Sequence, residues 1–201
     1  MIPKGAPVRG LLGGVKRSVE MIRNRGNWSF FHGTGYFTLV DVYSTGTVDI
    51  TNGTGSVVGT STVWTSAMVG RKMRIAGGPD YKVATFTDTT HITITPNFAE
   101  ATADDDTYEI YQDTFSLESD CDRVLGQFYD VTNGRCLDIS AAIRGQELMN
   151  ATAYAQTYVD TVYQFGRDSS NVPQITFWPP PRSAALFRYL YYRRPTAVST
   201  P

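Results

Sequence analysis

Few residues of this chain could do chemistry. Two histidines, His32 and His91, could serve as a general base or a metal ligand, but neither has a second His or a Cys at ligand spacing. A Gly-x-Ser-x-Gly nucleophile elbow does not occur. Cys121 and Cys136 stand fifteen positions apart, without metal-ligand spacing, and read as two small buried hydrophobes. The run Asp104-Asp105-Asp106, with Glu100 and Glu109, offers carboxylates to calcium. It lacks the alternation around a sharp glycine turn that a calcium loop needs, so it reads as a solvated acidic loop, able to meet a neighbour's basic end.

The stretch "TVDITNGTGSVVGTSTVWTSAMVGRKMRIAG", residues 47–77, poses a sharper choice, because glycines at this density can cradle a phosphate. A phosphate loop opens directly into a helix with a Lys-Ser/Thr pair at its mouth. Here the glycines lead into β-branched "SVVGTSTVWT", and no Lys follows before Lys72. Asn52-Gly53 supplies residues that tolerate the positive φ of a tight hairpin, between alternating Val48 and Ile50 on one side and Val57 and Val63 on the other. The stretch is a bend in a sheet.

A third candidate is the basic aromatic segment near the C-terminal end, where Tyr189, Tyr191 and Tyr192 neighbour Arg188, Arg193 and Arg194. Arg beside Tyr binds nucleic acid strands by charge and stacking, and it is also the composition of protein interfaces. In a strand Tyr189 and Tyr191 share one face and Arg188 and Tyr192 the other, so one Tyr pair belongs to the core. The interface is the preferred reading.

These candidates must be positioned by elements that the residue periods predict. "GLLGGVKRSVEMIRNR", residues 10–25, sets Leu12, Val15, Val19 and Ile22 on one apolar helical stripe, with the firm helix starting near Val15 because Gly13-Gly14 weakens the first turn. The dense aromatic group Trp28, Phe30 and Phe31 follows and requires a cover. From "GYFTLVDVYS" the period changes to two. Short strands in "GRKMRIAG", "YKVATFT", "HITITP" and "YEIYQDTFSL" suggest a small barrel or sandwich over about 44–112. A hairpin around Asn133-Gly134, a helix opening at Ser140, a strand in "TYVDTVYQFGR", a triple-proline turn and a strand in "ALFRYLYYRR" complete the chain. The fold class is α+β: a short amphipathic helix plus a β-rich body, residues 1–43 and 113–201, carrying an inserted β-module, residues 44–112.

The 201 residues suffice for one core with an inserted module. No apolar run is long enough to span a bilayer, and the first twenty-five residues lack the features of a secretory signal. The net charge of −1 hides a split. Residues 1–25 hold six bases and one acid, residues 182–194 four bases and no acid, and the middle eight bases against eighteen acids. Basic ends on an acidic middle suit contact with another subunit or with nucleic acid.

Three segments together resemble phage head-to-tail adaptor proteins. "SVEMIRNRGNWSFF" resembles the family's periodic helix and its aromatic ending. Residues 46–94 are similar to a β-rich insert found in many members, the match running through Trp64, Val69-Gly70-Arg71 and Tyr81. "ITFWPPPRSAALFRYLYYRRPTAV" resembles the family's closing segment, a Pro-x-Pro step and a strand ending Tyr-Tyr-Arg-Arg-Pro. The resemblance implies a non-enzymatic virion component without a cofactor. Such adaptors form a ring, usually of twelve copies, beneath the portal protein at the neck of the particle. They join it to a tail hub, nozzle or tail tube protein and line the channel through which the genomic DNA leaves. On this reading Trp28, Phe30 and Phe31 anchor the helix to the body. Arg188, Tyr191, Tyr192, Arg193, Arg194 and Pro195 lie at interfaces, with Arg193, Arg194 and the following residues meeting the portal. The chain would be assembled in the host cytoplasm, without a membrane partner. Two rival readings are a carbohydrate-binding tail fibre or spike module, with Trp64 as its aromatic platform, and a hydrolase of cell wall or nucleic acid.

Overall fold

The computed structural model describes residues 13–15, 17–19, 21–22, 28–140 and 161–194. The expected helix after Ser140 and Pro195 lie outside these residues. Residues 13–15, 17–19 and 21–22 are helical, so the helix includes Gly13 and Gly14 rather than starting at Val15. Its apolar stripe is not buried: Val15 and Ile22 are exposed and Val19 is half-buried. A 3-10 turn, Ser29–Phe31, leads into strand β1, His32–Leu39.

Seven strands then follow within sixty-five residues: β2 Thr47–Ile50, β3 Ser56–Thr60, β4 Lys72–Ile75, β5 Asp80–Asp88, β6 His91–Thr95, β7 Ala103–Asp106 and β8 Tyr108–Tyr111. They make one sheet in the order β7-β2-β3-β6-β5-β4-β8. Its two outermost strands, β7 and β8, are separated in sequence by Thr107 alone, which forces the sheet to curl until its ends meet. Curling buries one face of each strand and leaves short edges, which discourages pairing with other chains. Val48, Ile50, Val57, Met73, Val83, Ile92, Ile94 and Ile110 fill the concave side. Trp64 closes this core, its indole Nε1 donating to the Tyr108 hydroxyl at 3.0 Å, and Tyr108 donates in turn to the Thr45 carbonyl at 2.6 Å. Burial and its neighbours hold the Tyr108 phenol well above its usual range.

The remaining strands are β9 Thr114–Ser116, β10 Cys121–Asp130, β11 Arg135–Leu137, β12 Ile139–Ser140, β13 Thr161–Arg167, β14 Pro173–Trp178 and β15 Ala185–Arg193. They join β1 in two four-stranded sheets, β1-β15-β10-β11 and β12-β13-β14-β9. The two sheets share one apolar cluster that includes Leu39, Phe115, Phe128, Val162, Ile175, Phe177, Phe187, Tyr189 and Tyr191. Phe37 lies at its centre, stacked on Phe187 at 5.6 Å and within 6 Å of Phe115, Phe128, Phe177 and Tyr189. No residue belongs to both clusters, so the described chain has two cores and a β-rich body.

Close approach explains the alternation "HGTGY" in β1. Gly33 pairs with Tyr191 and Gly35 with Tyr189 across the β1–β15 ladder. A Cβ on Gly35 would stand 2.5 Å from the Tyr189 hydroxyl oxygen and 2.6 Å from Cε1, so both rings lie flat over bare backbone.

Several local expectations change. "YEIYQDTFSL" is two strands, because the chain passes at Gln112-Asp113 from one sheet to another. Asn52-Gly53 turns the chain with φ +79 at Gly53, but the loop between paired Ile50 and Val57 is longer than a tight two-residue turn. Asn52 Nδ2 uses that length to donate to the carbonyls of Ala99 and Glu100, at 3.1 and 2.7 Å. The acidic run is a strand rather than a loop: β7 pairs with β2, with Asp105 at φ +60 donating its N–H to Asp49 at 2.7 Å. Cys121 is buried as expected, whereas Cys136 is exposed.

Candidate interaction surface

The residues proposed for contact divide into two groups once burial is known. Trp28 and Phe30 are 46 % and 63 % exposed and pack on one another and on Phe31, with ring centroids 6.0 Å (Trp28–Phe30) and 4.4 Å (Phe30–Phe31) apart. Trp28 Nε1 donates to the Ile22 carbonyl at 2.9 Å, tying the aromatic turn to the helical residues. The aromatic group therefore fastens the helix to the start of β1 but remains uncovered.

The outer face of the β1-β15-β10-β11 sheet carries further exposed apolar side chains. Tyr36, Leu186 and Leu190 project from it, Tyr36 and Leu190 being 54 % and 51 % exposed. The register sets Tyr36 beside Arg188 and Leu190 beside Leu125. Arg188 lies on this face with its guanidinium 5.2 Å from the Tyr129 ring centroid, a cation–π contact that keeps the side chain flat. Eight of the twelve large hydrophobic residues exposed among the described residues, Val15, Met21, Ile22, Trp28, Phe30, Tyr36, Leu186 and Leu190, lie on the helix, the aromatic turn or this sheet, and Val131 lies in the turn that follows β10.

Tyr191 and Tyr192 are corrected: both are buried and belong to no surface. Tyr191 points between the two sheets of the body and donates its hydroxyl to Asp120 at 2.7 Å. Burial and that carboxylate push its phenol up to about 12. Tyr192 faces the other way, covered by the His32 ring edge-on at 5.1 Å and by the Arg123 guanidinium at 4.6 Å. Alternation assigned the two tyrosines to opposite faces, as found; the non-local partners that bury Tyr192 leave no trace in the local pattern. Arg193 is exposed, its Nε 3.8 Å from Asp120. Arg194 donates to the carbonyls of Asn171, at 2.8 Å, and Cys121, at 3.4 Å, fixing the end of β15 to the β13–β14 turn.

The residues considered for chemistry are dispersed. His91 pairs with Asp88 at 2.9 Å on an exposed turn between β5 and β6, far in sequence from His32. Among the described residues no three His, Cys, Asp or Glu side chains come together as a metal site. Trp64 is 1 % exposed, so it cannot serve as the aromatic platform of a carbohydrate site. Among the described residues no helix is long and apolar enough to cross a membrane.

A feature missed in the sequence lies where the curled sheet meets the body. An open cleft of about 610 Å³ is lined by Arg71, Lys72 and Lys82 on one side and by Asp113, Ser116 and Gln174 on the other. Lys72 stands directly across the β4–β5 ladder from Lys82 and bonds the buried Asp113 at 2.7 Å. Asp113 also ties the connection to the body, its carbonyl accepting the Phe177 N–H at 2.9 Å. Arg182 and Glu109 form a second tie, a bidentate pair at 2.9 and 3.2 Å. Only strand pairing brings Arg71-Lys72 and Lys82 together; the sequence shows no more than bases on either side of a Gly-Gly-Pro turn.

No protein-family model, curated protein or solved structure matches this chain.

Proposed function

We propose that this chain is a structural component of a phage particle, a head-to-tail adaptor whose copies associate into a ring of about twelve between portal and tail. The observation that carries the reading is that most exposed large apolar side chains among the described residues fall on three elements, the helix, the aromatic turn and the outer face of the β1-β15-β10-β11 sheet. Exposed apolar patches of this kind mark surfaces that another protein covers. The finer description of the fold, an α+β core carrying a β-module inserted over about 44–112, is supported by the two separate apolar clusters and by the confinement of β2–β8 to that stretch. The resemblance in the helix, the insert and the closing strand supplies the class of assembly. Within it, Trp28, Phe30 and Arg188 contact a neighbouring copy or the portal, Arg193 and the residues beyond it contact the portal, and the acidic middle faces the DNA channel without binding it. Its place is the neck of the virion, and its tail-side partner is a hub, nozzle or tube protein.

Native mass spectrometry and negative-stain imaging of the full chain, alone and mixed with portal rings from the same phage, test the reading. The expected result is a closed ring near twelve copies that caps the portal. A chain that stays monomeric at every concentration and ignores portal rings refutes it, and three copies would favour a fibre or spike.

A further inference from the structure

A ring built head to tail joins two different surfaces of the same chain, so each copy must carry a matched pair. The apolar face described above is one kind of surface and has no obvious complement in charge. The cleft at Arg71, Lys72 and Lys82 does have one.

Three cations line this cleft; Lys72 is paired with Asp113 at 2.7 Å and stands 4.0 Å from Asp80, whereas Arg71 and Lys82 have no carboxylate within 4 Å among the described residues. Arg71 Nε is buried with no hydrogen-bond partner among the described residues. Placing Lys72 opposite Lys82 costs energy that an anion in the cleft would offset, since like charges directly across a ladder repel. Burial also lowers the pKa of the Arg71 guanidinium, as expected of a cation that lacks a counter-charge. Arg71 and Lys82 therefore give the cleft a positive excess that favours an anionic occupant.

On the same chain the matching charge is β7. Asp104 and Asp105 are exposed, with Asp106 half-buried beside them. Among the described residues β7 pairs with β2 and ends the strand order, so the acidic strand lies at an edge of the ladder. β7 contributes no residue to the lining of the cleft, so one chain carries both the acidic strand and the basic cleft.

We propose that the cleft between the curled sheet and the body receives the acidic β7 edge of a second copy, with Asp104 and its neighbours pairing with Lys82 and Arg71. The contact rests on the ring reading above and specifies its register. It neutralises a basic cleft with an acidic strand, and it is heterologous, so repetition builds a ring where the rotation closes instead of ending at a dimer.

Sedimentation velocity of the full chain across a concentration series at low salt tests this, with circular dichroism confirming that each variant is folded. Lys82→Glu and Asp104→Lys should each raise the concentration of half-assembly about tenfold or more. The double variant, which restores the attraction with its signs exchanged, should return close to wild type. Lys82→Met serves in place of Lys82→Glu if the latter does not fold. Single variants that assemble like wild type, or a double variant no better than the singles, overturn the contact while leaving the ring intact. A wild-type chain that never assembles overturns both. Inorganic phosphate or a short DNA duplex that binds wild type and not Lys82→Glu, while assembly is unchanged by either reversal, also overturns it and makes the cleft a site for that anion.

Discussion

Gly35→Ala gives a stringent test of how the body is packed. The Tyr189 ring lies across Gly35, and the new methyl would sit 2.5 Å from its hydroxyl oxygen where carbon contacts prefer about 3.5–4 Å. The ring cannot retreat. It is buried among Phe37, Phe128 and Tyr191, with centroids 5.9, 5.4 and 5.6 Å away, and its hydroxyl accepts the Glu118 N–H at 2.8 Å. Overpacking costs about 1–3 kcal/mol, and weakening the Glu118 bond adds about 1 kcal/mol. Replacing a strand glycine returns about 0.5–1 kcal/mol, so the net loss is about 2 kcal/mol. In a chain of this size that lowers Tm by about 4–8 °C, which urea or thermal unfolding resolves. The decisive measurement is the same substitution in a Tyr189→Ala background, or in Tyr189→Leu if the alanine variant does not fold. There the methyl has room, and Gly35→Ala should be neutral or stabilise by up to about 1 kcal/mol, a coupling of about 2 kcal/mol. Equal cost in both backgrounds would refute the argument that the glycine exists to admit the ring.

Two further outcomes can be checked by titration and by reagent. Asp88 accepts hydrogen bonds from Thr90 N–H at 2.8 Å and Thr90 Oγ1 at 2.9 Å and faces His91 Nδ1 at 2.9 Å; mainly the Thr90 N–H, and then His91, hold its carboxyl down at about 2, against an ordinary 3.8. A depressed folded-state pKa stabilises above the unfolded value and is lost as pH falls, here between about 4 and 2; NMR titration of the Asp88 carboxyl should find its midpoint near 2, moved only partly upward by His91→Ala. Cys121 is buried, and burial together with Asp122 and Asp120 pushes its thiol up to about 12; a disulfide reagent at neutral pH should therefore modify one thiol of the folded chain, Cys136, and two after unfolding.

What the residues made legible, and what they hid, follows from range. β15 was plain because Ala185, Phe187, Tyr189 and Tyr191 alternate and all face inward. The hairpin at Asn133-Gly134 was equally local, with Asp130 paired to Arg135 across it. Signals failed where a distant partner decided the outcome. Tyr192 is buried by Arg123 and His32, and Trp64 by a hydroxyl forty-four residues away. "ADDD" lacks β-branched residues and still forms a strand, because an edge position tolerates charge and Asp49 supplies an acceptor for the Asp105 N–H. The helix stripe was visible in Val15, Val19 and Ile22, but periodicity states only that a stripe exists and not what covers it. The basic cleft was invisible, since pairing Lys72 with Lys82 depends on the turn between them.

The same range argument bears on how copies would recognise one another. Apolar contact is non-directional and scales with area, so the exposed face at Tyr36, Leu186 and Leu190 can supply affinity without fixing where a neighbour sits. Charge works the other way: it adds little net affinity once desolvation is counted, yet penalises every wrong register. In the proposed ring these tasks fall to different parts of the chain, apolar association to the body and register to the curled sheet and its cleft. Raising salt separates them, because exposed charge pairs are screened over about 8–10 Å at ordinary ionic strength while apolar contact is not. Assembly at high salt should therefore persist in amount but lose uniformity, with rings of mixed size or open arcs replacing a single closed species in negative stain. Loss of all association at high salt would mean that the apolar face is not an assembly surface, and unchanged uniform rings would mean that charge does not set the register.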